Sequence, residues 1–285
     1  MNLCDYDTIR ALLGRHGFHF SKSMGQNFLI DPQVPYDIAA ASGADEHCGV
    51  LEIGPGIGPL TAQLAQRAGK VVSVELDSSL LPVLAETMAP YPNVEIVPGD
   101  VLKLDLAALA AEKFQGLTPM VCANLPYNIT TPILEKLVET PCFERFTVMI
   151  QKEVAQRLCA PEGSAQGGSF SLFLHYYMEP EYLFDVPADR FLPPPKVTSA
   201  VMRCVRRPRP AVEVEDENFF FKVMRGAFLL RRKTLSNSLA AALPGFSRAQ
   251  VQSAMERCGL APTVRGEALT LRDFAALACA LKEET

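Results

Sequence analysis

The sequence predicts an α/β protein: an open seven-stranded sheet followed by a small all-helical C-terminal domain. Three observations carry this. From residue 50 onward, short apolar β-branched runs alternate with segments of helical spacing, as in a parallel sheet with helical crossovers. The stretch Arg206-Arg-Pro-Arg-Pro210 breaks that alternation. After it, apolar residues recur at helical spacing to the end of the chain. With 285 residues, 48% of them hydrophobic, the chain can bury such a core without disulfides or metal.

In order, residues 50–53, 71–75, 94–97, 120–123 and 146–150 read as buried strands. Between them, 59–68, 78–88 and 131–139 read as helices, with Gly69 stopping the first and Pro82 and Pro132 tolerable only near helix starts. Two further strands, 182–186 and 198–205, lack a long crossover and suit an antiparallel edge. Helices are expected over 218–230, 235–242, 248–258 and 271–281. The boundary falls near Pro208, giving a domain 1–207 that includes the N-terminal segment 1–48, and a domain 208–285.

The net charge of −5 conceals an asymmetry. Residues 1–190 hold 12 Lys and Arg against 23 Asp and Glu, whereas residues 191–285 hold 15 against 9. An acidic body with a basic tail points to a polyanion docking on the tail side, although charge counts alone do not show which side chains share a face. The cluster Arg203, Arg206, Arg207 and Arg209 suits a solvated linker as well as a polyanion contact. Eight scattered cysteines form no CxxC pair, as expected of free thiols in a reducing cytosol without a structural metal. No apolar block has signal-peptide or membrane-spanning length, so a cytoplasmic location is expected.

Leu51-Glu-Ile-Gly-Pro-Gly-Ile-Gly-Pro-Leu-Thr61 follows the first strand and opens a helix. Gly54, Gly56 and Gly58 allow a tight turn close to a ligand. A dinucleotide fingerprint would need glycine at 59, which is proline, so NAD is disfavoured. Glu75 ends the next strand, where a carboxylate can accept both hydroxyls of a ribose. Asp100 follows the third strand; its position fits acceptance from an adenine amino group and fits a helix N-cap equally well.

After the fourth strand comes Asn124-Leu-Pro-Tyr-Asn-Ile-Thr-Thr-Pro132, whose chemistry suits an amino group on a planar ring. The lone pair of adenine N6 is delocalised into the ring, which makes it a poor nucleophile. Acceptors at the Asn124 side chain and the Leu125 carbonyl would hold its N–H groups and favour a pyramidal nitrogen. Pro126 fixes the turn and supplies no competing N–H, and Tyr127 can stack on the base. A helix-entry turn with a packed tyrosine is the structural alternative.

The chain resembles the ribosomal RNA adenine N6-dimethyltransferase family, a Rossmann-like class I methyltransferase group, and within it the small-subunit (16S) branch most. The matching segments are Lys22-Ser-Met-Gly-Gln-Asn-Phe-Leu29, 52–61, Val74-Glu75, Gly99-Asp100, 124–132, Phe191-Leu-Pro-Pro-Pro-Lys-Val-Thr-Ser-Ala-Val201 and 228–239 with its Arg231-Arg-Lys-Thr-Leu core. The resemblance implies S-adenosylmethionine as methyl donor, held by Gln26, Asn27, Leu29, Gly54, Gly56, Glu75, Asp100 and Asn124. Read from the residues alone, Gln26-Asn27 is a turn before a helix. The resemblance also implies that Phe191, which otherwise passes as a core aromatic, stacks on the target adenine opposite Tyr127. The implied substrate is a pair of adjacent adenosines in a hairpin loop near the 3′ end of 16S rRNA, each methylated twice, within immature 30S particles. The C-terminal helices would help hold that RNA, with Arg225, Arg231, Arg232 and Lys233 as candidate contacts. Three adjacent cations on one helix cannot all face one way, so at least one is expected to point inward or pair with an acid. No catalytic lysine, cysteine or histidine is required, because positioning and desolvation carry the displacement. A monomer with neither membrane nor metal partner is expected. The rivals are the 23S rRNA dimethyltransferases of macrolide resistance, a non-catalytic ribosome assembly factor, and a small-molecule methyltransferase that would leave the basic tail unused.

Overall fold

The computed structural model describes residues 1–18 and 27–284, which fall into two compact units. One comprises Met1–Ala155 and Glu181–Arg206; the other comprises Gln156–Pro180 and Arg207–Thr285. The strands in chain order are β1 (Phe28–Leu29), β2 (Cys48–Ile53), β3 (Lys70–Glu75), β4 (Val94–Pro98), β5 (Thr118–Asn124), β6 (Arg145–Gln151), β7 (Met178–Val186), β8 (Phe191–Leu192) and β9 (Ser199–Arg206).

Seven of them form one sheet in the order β4-β3-β2-β5-β6-β9-β7. From β4 to β6 all neighbours are parallel, and β9 turns antiparallel against β6. All six residues of β2 are buried, as befits a central parallel strand covered on both faces. Leu51 and Val50 are wholly inaccessible, and Val50 packs with Leu60, Leu64, Val71, Met120 and Cys122 in a core that continues to Ile38, Phe191 and Val201. The chain leaves β2 toward β3 and β4 and later returns to β5 on its other side. The strand order therefore reverses between β2 and β5, where open α/β sheets form a crevice at their carboxyl ends.

The remaining two strands are not expected from the sequence pattern. β1 and β8 pair antiparallel, Phe28 opposite Leu192 and Leu29 opposite Phe191. Each has only two residues, too few for a periodic pattern. The helix Tyr6–Arg15 is likewise an addition to the sequence reading, whereas Gln33–Ser42 is the helix expected beyond Gln26-Asn27.

The second unit is built from the helices Ser169–Tyr177, Glu217–Ala227, Leu235–Ala242, Arg248–Arg257 and Leu271–Lys282. Phe220, Met224, Leu239, Val251 and Phe274 meet at its centre together with Leu172 and Tyr176. This corrects the domain reading, which kept residues 156–180 with the sheet. Tyr176 and Tyr177 both donate to Glu217 at 3.0 Å, and the Arg207 N–H groups return to the carbonyls of His175, Tyr177 and Met178. A helical repeat discloses an apolar face without disclosing which core receives it.

Two readings of the basic tail also change. Arg206 is no free linker cation: its guanidinium donates to the carbonyls of Leu137, Val138, Thr140 and Phe143 at 2.9–3.3 Å. Arg203 bonds Glu181 at 2.6 Å. The helix expected to reach residue 230 stops at Ala227, where Ser238 donates to the Gly226 carbonyl and accepts from the Leu230 N–H. Arg231, Arg232 and Lys233 therefore lie in a turn. All three are exposed, as is Arg225, and among the described residues none of the four forms an ion pair.

Candidate active site

A cavity opens at the carboxyl ends of β2, β3 and β5, wholly within the first unit. Its floor is the glycine turn. Gly54 and Gly56 have φ of 68° and 62°, in the left-handed region, and the Gly54 N–H donates to Val74 on β3. The turn ends in the helix Pro59–Ala65, with proline at its start, where the missing N–H costs nothing.

Glu75, at the end of β3, is 6% exposed. Burial raises its carboxyl above the ordinary value, against backbone N–H donors at Asp77, Gly56 and Leu76. Its own carbonyl accepts from Gly99 at 2.9 Å, which carries the Asp100 turn to the cavity wall. Asp100 Oδ1 accepts from the Leu102 N–H at 3.0 Å, and the same side chain lines the cavity. It caps a turn rather than a helix. Lys136 secures that turn from the far side through the Leu102 carbonyl.

On the opposite wall, Asn124 is the last residue of β5, and the Leu125 N–H donates to Met149 on β6 at 3.0 Å. Thr130 Oγ1 donates to the Pro126 carbonyl at 3.0 Å and closes the loop. Tyr127 lines the cavity, with its hydroxyl hydrogen-bonded to Ser199 Oγ. Phe191 lines it too, although it is 1% exposed and belongs to the same buried cluster as Leu29. Phe191 is thus a core residue that also borders the cavity.

Asn27, Leu29, Gly54, Gly56, Glu75, Asp100, Asn124, Leu125, Pro126, Tyr127 and Phe191 all border this one cavity. Gln26 lies outside the described residues. Sequence reasoning overlooked Glu52 and the apolar side chains of Leu76, Val101 and Ile129, which also line it. Glu52 carried a signal: a lone acid in an otherwise apolar buried strand needs partners. It is 1% exposed and accepts from Thr61 Oγ1 at 2.6 Å and Ser73 Oγ at 2.7 Å. Burial pushes its carboxyl up to about 7, the two hydroxyls act the other way, and nearby Glu75 adds to the rise.

The lining thus includes the acidic residues Glu52, Glu75, Asp77 and Asp100, and among the described residues no lysine, arginine or histidine. Such a cavity favours a cation and disfavours a phosphate. Among the described residues no three potential ligands gather for a metal ion, and no helix is long and apolar enough to cross a membrane.

A model of the family described as ribosomal RNA adenine dimethylase matches residues 17–281. Proteins named ribosomal RNA small subunit methyltransferase A are similar along the whole chain. That from Streptococcus sanguinis (strain SK36) is 48% identical over 288 residues, covering 100% of this chain and 99% of its own. That from Streptococcus pneumoniae serotype 2 is 48% identical, with 99% of each chain covered. Among solved structures, 23S rRNA methyltransferase ErmE has a TM-score of 0.69 at 28% identity, covering 90% of this chain and 100% of that one. A dimethyladenosine transferase from Plasmodium falciparum has a TM-score of 0.74 at 23% identity, covering 90% and 98%, and bears on the fold alone. The architecture is the Rossmann-like class I methyltransferase fold.

The Glu52 carboxyl makes a testable statement about pH. An unfolded glutamate releases its proton near 4.5 and the native one near 7, so between those values the native state binds more protons and stability falls as pH rises. Thermal denaturation of wild type and Glu52→Gln from pH 5 to 8 should show a shallower decline for the variant, because glutamine can accept from both hydroxyls without ionising. Parallel pH profiles would show that Glu52 does not titrate in this range.

Proposed function

Because the chain belongs to the ribosomal RNA adenine dimethylase family, we propose that it transfers methyl groups from S-adenosylmethionine to N6 of two adjacent adenosines near the 3′ end of 16S rRNA, within immature 30S particles in the cytoplasm. The observation that carries the donor assignment is the cavity itself: four acidic residues with no basic residue among the described lining suit a cationic sulfonium ligand and give a pyrophosphate no partner there. Full-length similarity at 48% to small-subunit enzymes, against 28% to the 23S enzyme, supports the 16S branch.

When bound, the donor supplies an electrophilic methyl that the N6 lone pair takes as the carbon–sulfur bond breaks, the electron pair staying on sulfur and the nitrogen's proton leaving to water. The chain's residues set the geometry. Glu75 accepts the ribose hydroxyls, and Asp100 accepts from the donor's adenine amino group while Leu76, Val101 and Ile129 contact its faces. Asn27 and Leu29 close the N-terminal side. Across the cavity, Asn124 Oδ1 and the Leu125 carbonyl accept from the target amino group, so that its lone pair is turned toward the methyl. Tyr127 and Phe191 hold the base by their faces. Walls of Leu125, Phe191 and the glycine turn exclude water from the path, which strengthens the polar contacts within.

Tritiated methyl transfer from S-adenosylmethionine to immature 30S particles and to 23S rRNA tests the assignment. Label should enter the 30S particles as N6,N6-dimethyladenosine, and label confined to 23S rRNA would move the chain to the other branch. Glu75→Ala should weaken donor binding by about 10- to 100-fold in calorimetry while the fold persists, since hydrogen bonds to a charged acceptor are worth about 1.5–3 kcal/mol. Unchanged affinity would remove Glu75 from the site. For the basic turn, Arg231→Glu combined with Arg232→Glu should weaken 30S binding and flatten its salt dependence by about 0.9 log–log unit for each phosphate that is no longer neutralised. Donor affinity should stay constant in the same variant, and an unchanged salt slope would place the RNA surface elsewhere.

A further inference from the structure

Ser199, hydrogen-bonded to the Tyr127 hydroxyl, is wholly inaccessible, whereas Tyr127 lines the cavity. The surrounding pairing explains how the two meet. Met149 on β6 lies opposite Asn124 on one side and Val201 on the other. Ser199 stands two residues before Val201, on the same face of β9, so the start of that strand overhangs the loop that follows Asn124. Its position is firmly set: Ser199 pairs in register with Gln151, and the carbonyl of the preceding Thr198 accepts from the Lys152 N–H at 3.0 Å.

We infer that Ser199 is a positioning residue for the second methyl transfer, fixing the Tyr127 ring so that the slot still holds a base that has already received one methyl group. This rests on the proposed donor and acceptor reading. A tyrosine ring turns about two side-chain bonds, and anchoring its far oxygen fixes the plane of the ring without touching the face offered to the base. The chemistry then separates the two transfers. Adenosine arrives with two N–H bonds for Asn124 and Leu125, whereas N6-methyladenosine arrives with one. Having lost half of that grip, the second substrate depends more on the ring faces. In each transfer N6 gains a carbon bond and gives one proton to water, so the two steps differ in grip and not in mechanism.

The test is a timed reaction on immature 30S particles with wild type, Ser199→Ala, Tyr127→Phe and the double variant. Digested nucleosides are then quantified as monomethyl- and dimethyladenosine by mass spectrometry. The loss of one hydrogen bond predicts about a fivefold rise in the monomethyl to dimethyl ratio for each single variant. The double variant should be no worse than the more affected single, because both substitutions remove the same bond. Donor affinity by calorimetry should match wild type throughout. A purely structural role for Ser199 would slow both transfers alike and leave the ratio unchanged, and that result overturns the inference. So does a double variant whose effect is the product of the two singles. Should Ser199→Ala fail to fold, Tyr127→Phe removes the same bond from the cavity side, and an unchanged ratio in that variant is equally decisive. If wild type forms no methylated adenine at all, the donor and acceptor reading fails first and Ser199's role falls with it.

Discussion

Two hydroxyl hydrogen bonds onto one buried carboxyl group organise the first unit. Thr61 and Ser73 both donate to Glu52 Oε2, which ties β2 to β3 and to the helix beyond the glycine turn. With these three elements held together, the turn has one place to go, and its N–H groups at Gly54 and Gly56 reach Val74 and Glu75. Glu75 then fixes the Asp100 turn through Gly99, and Lys136 holds that turn from its outer side. A polar group at full burial is tolerated here because each hydrogen bond it accepts also positions a segment of the cavity.

The electrostatic character of the cavity follows from the same arrangement. Burial raises both Glu52 and Glu75, with the charge of Glu75 adding to the rise at Glu52 and that of Asp77 adding to the rise at Glu75. A ligand carrying positive charge relieves that conflict, whereas one that has lost its charge does not. The methyl donor and its spent product differ in this respect, since methyl loss leaves a neutral thioether. On the proposed reading, the carboxyl groups therefore offer less to that product than to the donor.

How much was legible in the sequence depended on the range of the interaction that places each residue. The strands at 50–53, 71–75, 120–123 and 146–150 could be read because burial on both faces of a parallel sheet demands apolar runs, whereas β4, expected to be buried as well, is an edge strand with no fully buried residue. Gly54, Glu75, Asp100 and Asn124 were recognisable because the carboxyl end of a parallel strand is itself a local feature. Phe191 was ambiguous from its own segment, since its partner Leu29 lies in a distant part of the chain. Ser199 and Glu52 passed without a role for a related reason: a buried serine looks like packing until the tyrosine above it is placed, and an acid inside a strand looks anomalous until two hydroxyls face it. The helix expected to run to residue 230 ends at Ala227, where the Gly226 carbonyl takes a side-chain bond from Ser238 that periodicity does not encode.

The β1–β8 ladder also dictates when the cavity can exist. Asp31 and Arg190, which flank the ladder and bond at 2.6 Å, are 159 positions apart. During synthesis, Leu29 leaves the ribosome long before Phe191 has been translated, so the N-terminal wall waits without its antiparallel partner while the strands between them assemble. Closing so wide a chain loop is entropically costly and profits from a sheet that already holds the two ends near each other. A nascent chain truncated before residue 191 lacks both β8 and the β9 serine beneath Tyr127, and would have the glycine turn without a finished place for the base. Completion of the cavity thus coincides with completion of the sheet, late in synthesis.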